Sequence, residues 1–394
     1  MNLVMIGFRR DAHEAALTRG WRAHFLVDST RQPPRSGVSW ASVDLNGDVE
    51  SWEKAARRLA GDATIDAVIA SGESSVVPAA LLRERLGVSG MSVATARRCH
   101  DKIWMKDALT AAGVPCARYL TITPSTGVDD LIEALGLPLV IKAPDSSGGR
   151  GTHICESSAQ VEAALRPGLL AEAFVPGTEF SVESFVHRGQ VCFLNVTSYL
   201  RPGWANIVPA DLPAERITTI ATLNRQTIAA LGVDQGMTHM EFFASESGDV
   251  VGELAARPPG GALMELIGEA YGFDAWQAFL DIETGRLPRF PSGLRRFEGV
   301  YFLHPGGGRV TAVRGLRRSR QLAHVSAVSC RVQPGDTIEE RVGVGQSVGR
   351  IRAGASDYAS VARALLEAHR CVEIELAPAQ SVPTSPEPSH DSGG

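Results

Sequence analysis

Short apolar runs alternate with amphipathic stretches through the first part of the chain: LVMIG, then Asp11–Arg19, AHFLVD, Ser51–Ala60, IDAVIASG and Val77–Leu86. That rhythm predicts a parallel sheet with crossover helices, an α/β layer. Gly7 and Gly72 close two of its strands at the edge where such sheets take ligands. The segment GFRRDAHEAA departs from GxGxxG, so no dinucleotide fingerprint is present and the layer reads as structural. DKIWMKDALTAAGVP predicts a helix ended by Gly113 and Pro115. Two β-rich blocks follow, at 117–198 and 236–257. From 297 onward GVYFLHP, RVTAVRG and VSAVSCRV predict a small β-domain, followed by a helix at Tyr358–His369. The Pro/Ser-rich stretch 377–394 predicts a disordered tail.

Composition narrows the function class. A chain of 394 residues, 44% hydrophobic and 21% charged, can bury a large core in two or three packed units. Its formal charge of −5 offers no general polycation, so neither nucleic acid nor a membrane surface is an expected partner. No apolar run reaches spanning length, the start does not read as a signal segment, and the cytoplasm is the default location. The six cysteines (99, 116, 155, 192, 330 and 371) form no CxxC pair, suggest neither a zinc knuckle nor a disulfide framework, and read as buried thiols.

Lysine usage is more informative. Only Lys54, Lys102, Lys106 and Lys142 occur among 39 basic residues, so this chain writes arginine wherever a charge serves solubility. A lysine kept against that habit suits a compact ammonium facing a single phosphate oxygen. Lys142 ends the apolar run LPLVIK and precedes PDSSGGRG. Ser146, Ser147, Gly148, Gly149 and Gly151 supply hydroxyls and unhindered N–H groups, able to form an anion nest or a flap over a polyphosphate. The lysine precedes the glycines, so this is not a Walker A loop, and a flexible hairpin is the plainer alternative.

The sharpest signal is MTHMEFFASESGDVVGELAAR. Alternation puts His239, Glu241 and Phe243 on one face of a strand, and Val251, Glu253, Ala255 and Arg257 on one face of the next. A three-residue loop, Glu246 to Gly248, sets Glu241 opposite Glu253, with Cβ atoms roughly 5 Å apart. Two facing carboxylates repel unless one is protonated or a cation lies between them, and hard Mg²⁺ fits. An even-numbered loop would send the glutamates to opposite faces. Arg257 is followed by PPGG, whose amides at Gly260 and Gly261 can hold an anion beside the metal. His239 reads as a packed histidine or a support for the ligands.

Together these parts resemble the ATP-grasp superfamily over most of the chain. The resemblance implies an N-terminal parallel α/β domain (1–95) and an ATP-grasp domain (96–290) with a β-rich nucleotide-binding lid at about 117–178. A small C-terminal β-domain (291–376) and the tail (377–394) would complete the chain. HDKIWMKDALTAAGVP carries over Lys102 as a phosphate contact, and LVIKAPDSSGGRG carries over Lys142 with its loop. AEAFVPGTEFSVES carries over Glu172 and the backbone at Phe174 and Val175 to adenine, and Glu179 to the ribose. Without the resemblance, both acids would read as surface residues on an edge. HMEFF and GELAARPPGG carry over Glu241 and Glu253 as metal ligands and Arg257 as catalytic.

Ala255 stands where many members have Asn, a pattern similar to the dipeptide-ligase branch, as is the C-terminal block. The implied enzyme is an ADP-forming carboxylate–amine ligase working through an acylphosphate on amino acids or analogues. It would use ATP and Mg²⁺, with Mn²⁺ as a substitute, take small carboxylate and amine partners, and form a homodimer. A biotin-carboxylase-like or purine-precursor enzyme is the alternative within the superfamily; a non-catalytic nucleotide-binding regulator is the alternative of another class. Thr197–Pro213 is expected near the pocket, with Trp204 as a wall.

Overall fold

The structure, a computed structural model, describes residues 1–31 and 36–377, so the tail predicted from 377 lies almost wholly outside the described residues. The N-terminal layer comprises β1 (Asn2–Ile6), α1 (Arg10–Thr18), β2 (Arg22–Asp28), β3 (Ser39–Val43), α2 (Val49–Ala60), β4 (Ala67–Ala70) and α3 (Val76–Leu86). Its strands are parallel in the order β3-β2-β1-β4, as the apolar runs foretold. Because β1 is covered on both faces, its five residues are all buried. Two helices lead on, α4 (Val93–His100) and α5 (Lys102–Ala111). Asp101 starts α5 by accepting the N–H groups of Ile103 and Trp104 at 2.8 and 3.1 Å, which fixes Lys102 as its first helical residue.

The next unit is more mixed than its sequence pattern suggests. β5 (Tyr119–Thr121), α6 (Val128–Leu135), β6 (Leu139–Lys142), β7 (His153–Cys155), α7 (Ser158–Ala164) and β8 (Leu170–Ala173) make an antiparallel sheet ordered β5-β8-β6-β7. The expected purely β-rich lid is therefore an α/β lid. Leu131, Leu135 and Val161 of its helices pack on Leu139, Ile141 and Ala171.

A large sheet forms the centre. Its chain runs β9 (Thr178–His187), β10 (Gln190–Arg201), β11 (Ala205–Val208), α8 (Ala214–Leu231), β12 (Gln235–Ser245) and β13 (Gly248–Ala255). Then follow α9 (Leu263–Tyr271), α10 (Ala275–Glu283), β14 (Phe297–Leu303), β15 (Gly308–Arg314), α11 (Leu316–Arg320), β16 (Val325–Cys330), β17 (Thr337–Ile338), β18 (Gly349–Ala355), α12 (Tyr358–Cys371) and β19 (Glu373–Leu376). The strand order β13-β12-β9-β10-β11-β14-β18-β16 makes three C-terminal strands part of the central sheet. Only β15, β17 and β19 form a separate small sheet. The join is packed: Ala205 and Ile207 of β11 share a buried cluster with Tyr301, Ile351 and Leu365. No described helix is long and apolar enough to cross a membrane.

Candidate active site

The facing acids are where the sequence put them, but by a different route. Ser245 pairs with Gly248, so the turn holds two residues, Glu246 and Ser247, and Phe243 pairs with Val250 where Val251 was expected. That even loop alone would separate the acids. A bulge between Glu241 and Phe242 absorbs Gly252 and restores Glu241 opposite Glu253. Glycine suits this position, because a Cβ on residue 252 would meet the Phe243 ring at 3.1 Å. The bulge also corrects a face assignment: Val251 lies with Phe242 and Leu254 in the core, away from Glu253.

A buried polar network stands beneath Glu241. Glu183, fully buried on β9, accepts from Ser181 Oγ at 2.7 Å, Asn195 Nδ2 at 2.7 Å, Thr197 Oγ1 at 2.6 Å and His239 Nδ1 at 2.9 Å. The other imidazole nitrogen faces Glu241 Oε1 at 3.4 Å, which Tyr199 OH also approaches at 3.5 Å. His239 therefore supports a ligand. Burial alone would lower its pKa, but the bonds to Glu183 and Glu241 outweigh burial and raise it to about 9. The same charge holds Glu241 below the usual carboxylate range against its own burial. Glu179 behaves oppositely: burial, then the charges of Glu241 and Glu253, push it up to about 7. Three carboxylates thus share one pocket, an excess of negative charge that a cation would relieve.

Folding that holds a histidine protonated adds stability that is complete below pH 6.5 and is lost as pH rises toward 9. Nucleotide-free protein is therefore expected to lose melting temperature across that window, and His239→Gln should flatten the slope. A slope unchanged in the variant would place the titrating group elsewhere.

The rare lysines converge on this pocket. Lys102 Nζ lies 3.2 Å from Glu253 Oε2 and donates to the Ser146 carbonyl. Lys142 Nζ is 2.9 Å from Glu172 Oε2, and Lys106 Nζ is 3.1 Å from Glu172 Oε1. Glu172 is only 6% exposed, which sets aside the plainer alternative of a surface edge acid; two ammonium groups hold it below the usual carboxylate range despite burial. Lys106 was not assigned to the site from sequence, although it follows Lys102 by four residues on one helix face. Lys54, the fourth lysine, pairs with Glu50 at the surface.

Beyond Lys142 the loop does what its glycines permit. Gly148, Gly149 and Gly151 have φ of 64°, 73° and 65°, a region costly for any residue with a side chain. Ser146 Oγ donates to the Ala143 carbonyl at 2.9 Å, and Ser147 Oγ accepts from Arg150 at 3.0 Å. The C-terminal region touches this loop through Val344 N, which donates to the Gly148 carbonyl at 3.2 Å. Val344 Cγ2 lies 3.8 Å from the Cβ position of Gly203, and Arg341 stacks 3.8 Å from the centroid of Trp204. Trp204 thus packs at the junction of the β10–β11 turn and the C-terminal segment, against the buried cluster that holds Ala205 and Tyr301. Phe174, exposed, and Val175, half-buried, follow β8, and Phe174 N bonds the Pro138 carbonyl at 3.3 Å.

Arg257 lies past the end of β13, with Nε 2.9 Å from Glu73 Oε2 and Nη1 3.2 Å from the Pro258 carbonyl. Glu73 also meets His100 Nδ1 at 3.0 Å. Burial would raise the Glu73 pKa, yet His100 and Arg257 together hold it low. Sequence reasoning passed over Glu73, although it directly follows Gly72 at the ligand-facing edge. Gly261 has φ 63°, and its Cβ position is 3.0 Å from Asn206 Nδ2.

Among the described residues no cluster of three or more His, Cys, Asp or Glu gathers as a metal cage. Two facing carboxylates are nonetheless the oxygen donors that Mg²⁺ takes from protein when phosphates and water complete its shell. The residues present fit that ion.

An ATP-grasp domain model matches residues 107–268, and a model of the L-amino acid ligase C-terminal domain 2 matches 300–377. The chain carries an ATP-grasp domain. It resembles the L-amino acid ligase branch and is an ADP-forming carbon–nitrogen ligase, an enzyme class that uses ATP with Mg²⁺. An L-arginine-specific L-amino acid ligase of Bacillus subtilis is 24% identical over 296 residues, covering 70% of this chain and 72% of that one. Dapdiamide A synthase of Enterobacter agglomerans is 26% identical over 324 residues, covering 74% and 75%. The crystal structure of an L-amino acid ligase from Bacillus licheniformis superposes with a TM-score of 0.81 at 21% identity, covering 96% of this chain and 99% of the other; it establishes the ATP-grasp fold.

Proposed function

We propose that this ligase joins the carboxylate of one amino acid, or a close analogue, to the amine of another while splitting ATP to ADP and phosphate. The observation carrying this reading is the convergence of Lys102 on Glu253, and of Lys106 and Lys142 on Glu172, beside a loop of left-handed glycines. Such an array neutralises polyphosphate charge. In this reading Glu241 and Glu253 hold Mg²⁺ or Mn²⁺, which lessens the charge on the phosphate oxygens.

Lys102, Lys142, Ser146, Ser147 and the loop amides at Gly148, Gly149 and Gly151 orient the triphosphate. Glu172, the backbone at Phe174 and Val175, and Glu179 form the nucleoside end. A carboxylate oxygen of the first substrate attacks the γ-phosphorus, the bond to the β-phosphate bridging oxygen breaks, and ADP leaves. The amine of the second substrate then attacks the acyl carbon. The acyl–oxygen bond breaks, phosphate departs and the nitrogen sheds a proton. Arg257 with the amides of Gly260 and Gly261 stabilises the oxyanion formed in between. The chemistry uses no nucleophilic side chain.

Ala255 bears on the branch. It is 5% exposed, pairs with His239 and offers no donor to a second metal, the pattern read from the sequence as dipeptide-ligase-like. Phosphate release from ATP and Mg²⁺ with an L-amino acid panel tests the proposal: release should require two substrates. Dependence on bicarbonate would favour carboxylation, and nucleotide binding without release would favour a regulator.

A further inference from the structure

The order in which strands are added to the parallel N-terminal sheet reverses between β1 and β4. From β1 the chain passes through α1 to β2 on one side, whereas β3 leads through α2 to β4 on the other. The helices that follow β1 and β4 cover opposite faces: Ala12 and Ala16 of α1 pack with Leu3 and Met5, while Ala79 and Leu82 of α3 pack with Val4 and Ile6. Loops leaving the carboxyl ends of β1 and β4 therefore diverge. That point is the topological switch of the sheet, where open α/β folds bind ligands in a crevice.

This crevice faces the catalytic side of the molecule. Arg9, in the loop after β1, donates Nε to the Ser71 carbonyl in the loop after β4, at 3.1 Å. Two residues on, Glu73 accepts Nε of Arg257 at 2.9 Å. One short segment, 71–73, thus pins two guanidinium groups, one from the N-terminal layer and one from the end of β13. Both are held through Nε, which leaves terminal nitrogens available to a ligand. Arg257 commits Nη1 to the Pro258 carbonyl, and Arg9 forms no ion pair among the described residues. Arg9 is exposed as a residue, yet desolvation of its guanidinium, then the nearby Arg257 charge, holds it below its ordinary pKa. Two cations fixed on one three-residue segment favour an anion that engages both, and a guanidinium fork matches a carboxylate best.

We propose that Arg9 and Arg257 clamp the free carboxylate of the amine-donating substrate at this switch point, so that the enzyme selects amino acids over amines lacking an acid group. The identity of the ligand rests on the amide-ligase reading. The reactive carboxylate of the acyl donor belongs beside the triphosphate, at the lysines and facing glutamates. The second substrate must approach the acyl carbon from elsewhere, and the N-terminal crevice supplies a wall with an anchor for its acid group.

The test is calorimetric titration of the full chain, loaded with Mg²⁺ and ADP, using L-amino acids and their primary amides. At least one acid should bind about tenfold or more tighter than its amide, since a charge-assisted bond is worth more than a neutral one. Arg9→Gln should weaken that acid about tenfold while leaving the amide and ADP unchanged, and Arg9→Lys should recover part of the loss. Failure of every acid to bind, equal binding of acid and amide by the unaltered chain, or equal loss of both in Arg9→Gln would overturn the clamp. Phosphate release is followed in parallel. Acid-selective binding that depends on Arg9, with no release from any pair, would uphold the clamp and count against the ligase reading.

Discussion

Glu253→Gln is expected to lower kcat/KM at least about 10³-fold while the chain stays folded. Glutamine keeps the shape but removes the charge that faces Glu241 across the bulged hairpin. In the metal-free chain this loss relieves repulsion, because Glu253 is one of the charges that push Glu179 up to about 7. Lys102 loses a partner at 3.2 Å and keeps the Ser146 carbonyl, so the two effects on stability oppose each other. The melting temperature without nucleotide should accordingly change by only a few degrees, on the order of 1 kcal/mol or less. The rise in melting temperature on adding ATP with Mg²⁺ should largely vanish. Near-normal turnover, or an undiminished nucleotide-dependent rise, would contradict the assignment of this pair to the metal.

The second large effect separates two lysines that share one acid. Lys142→Met should cut kcat/KM for ATP by about 10²–10³-fold with the fold retained, since Glu172 keeps Lys106 at 3.1 Å. Lys106→Met should instead act mainly on stability. Lys106 is 1% exposed, and breaking a buried pair typically costs about 3–5 kcal/mol. Denaturant midpoints and steady-state rates measured on both variants decide the matter. Equal kinetic damage with equal stability in the two would mean that Lys142 has no special access to nucleotide.

Much of this was legible in the chain because the chemistry is written in unusual residues at fixed spacing. Four lysines among 39 basic residues stood out, and three of the four converge on the acids of the pocket. Apolar runs buried on both faces marked the parallel layer. The facing glutamates were inferred correctly from a wrong loop length. Strand alternation carries no information about a bulge, and the two-residue turn and the bulge at Gly252 offset each other.

Helices α6 and α7 were missed because each is short, eight and seven residues, and lies inside a region dominated by strand pairing. The roles of Arg9, Glu73 and Glu183 depend on contacts across 62, 184 and 56 positions of sequence, which no local pattern encodes. Glu183 could still have been suspected. An acid set among Val182, Phe185 and Val186 within a β-rich block must find partners, and here it finds four.

The most direct test follows an oxygen atom. With the acyl donor's carboxylate labelled with ¹⁸O, a single turnover in the presence of the amine substrate should place label in inorganic phosphate, with ADP as the nucleotide product. Label recovered in AMP alongside pyrophosphate would show adenylation of the carboxylate and would contradict the phosphoryl-transfer site described for Glu241, Glu253 and the three lysines.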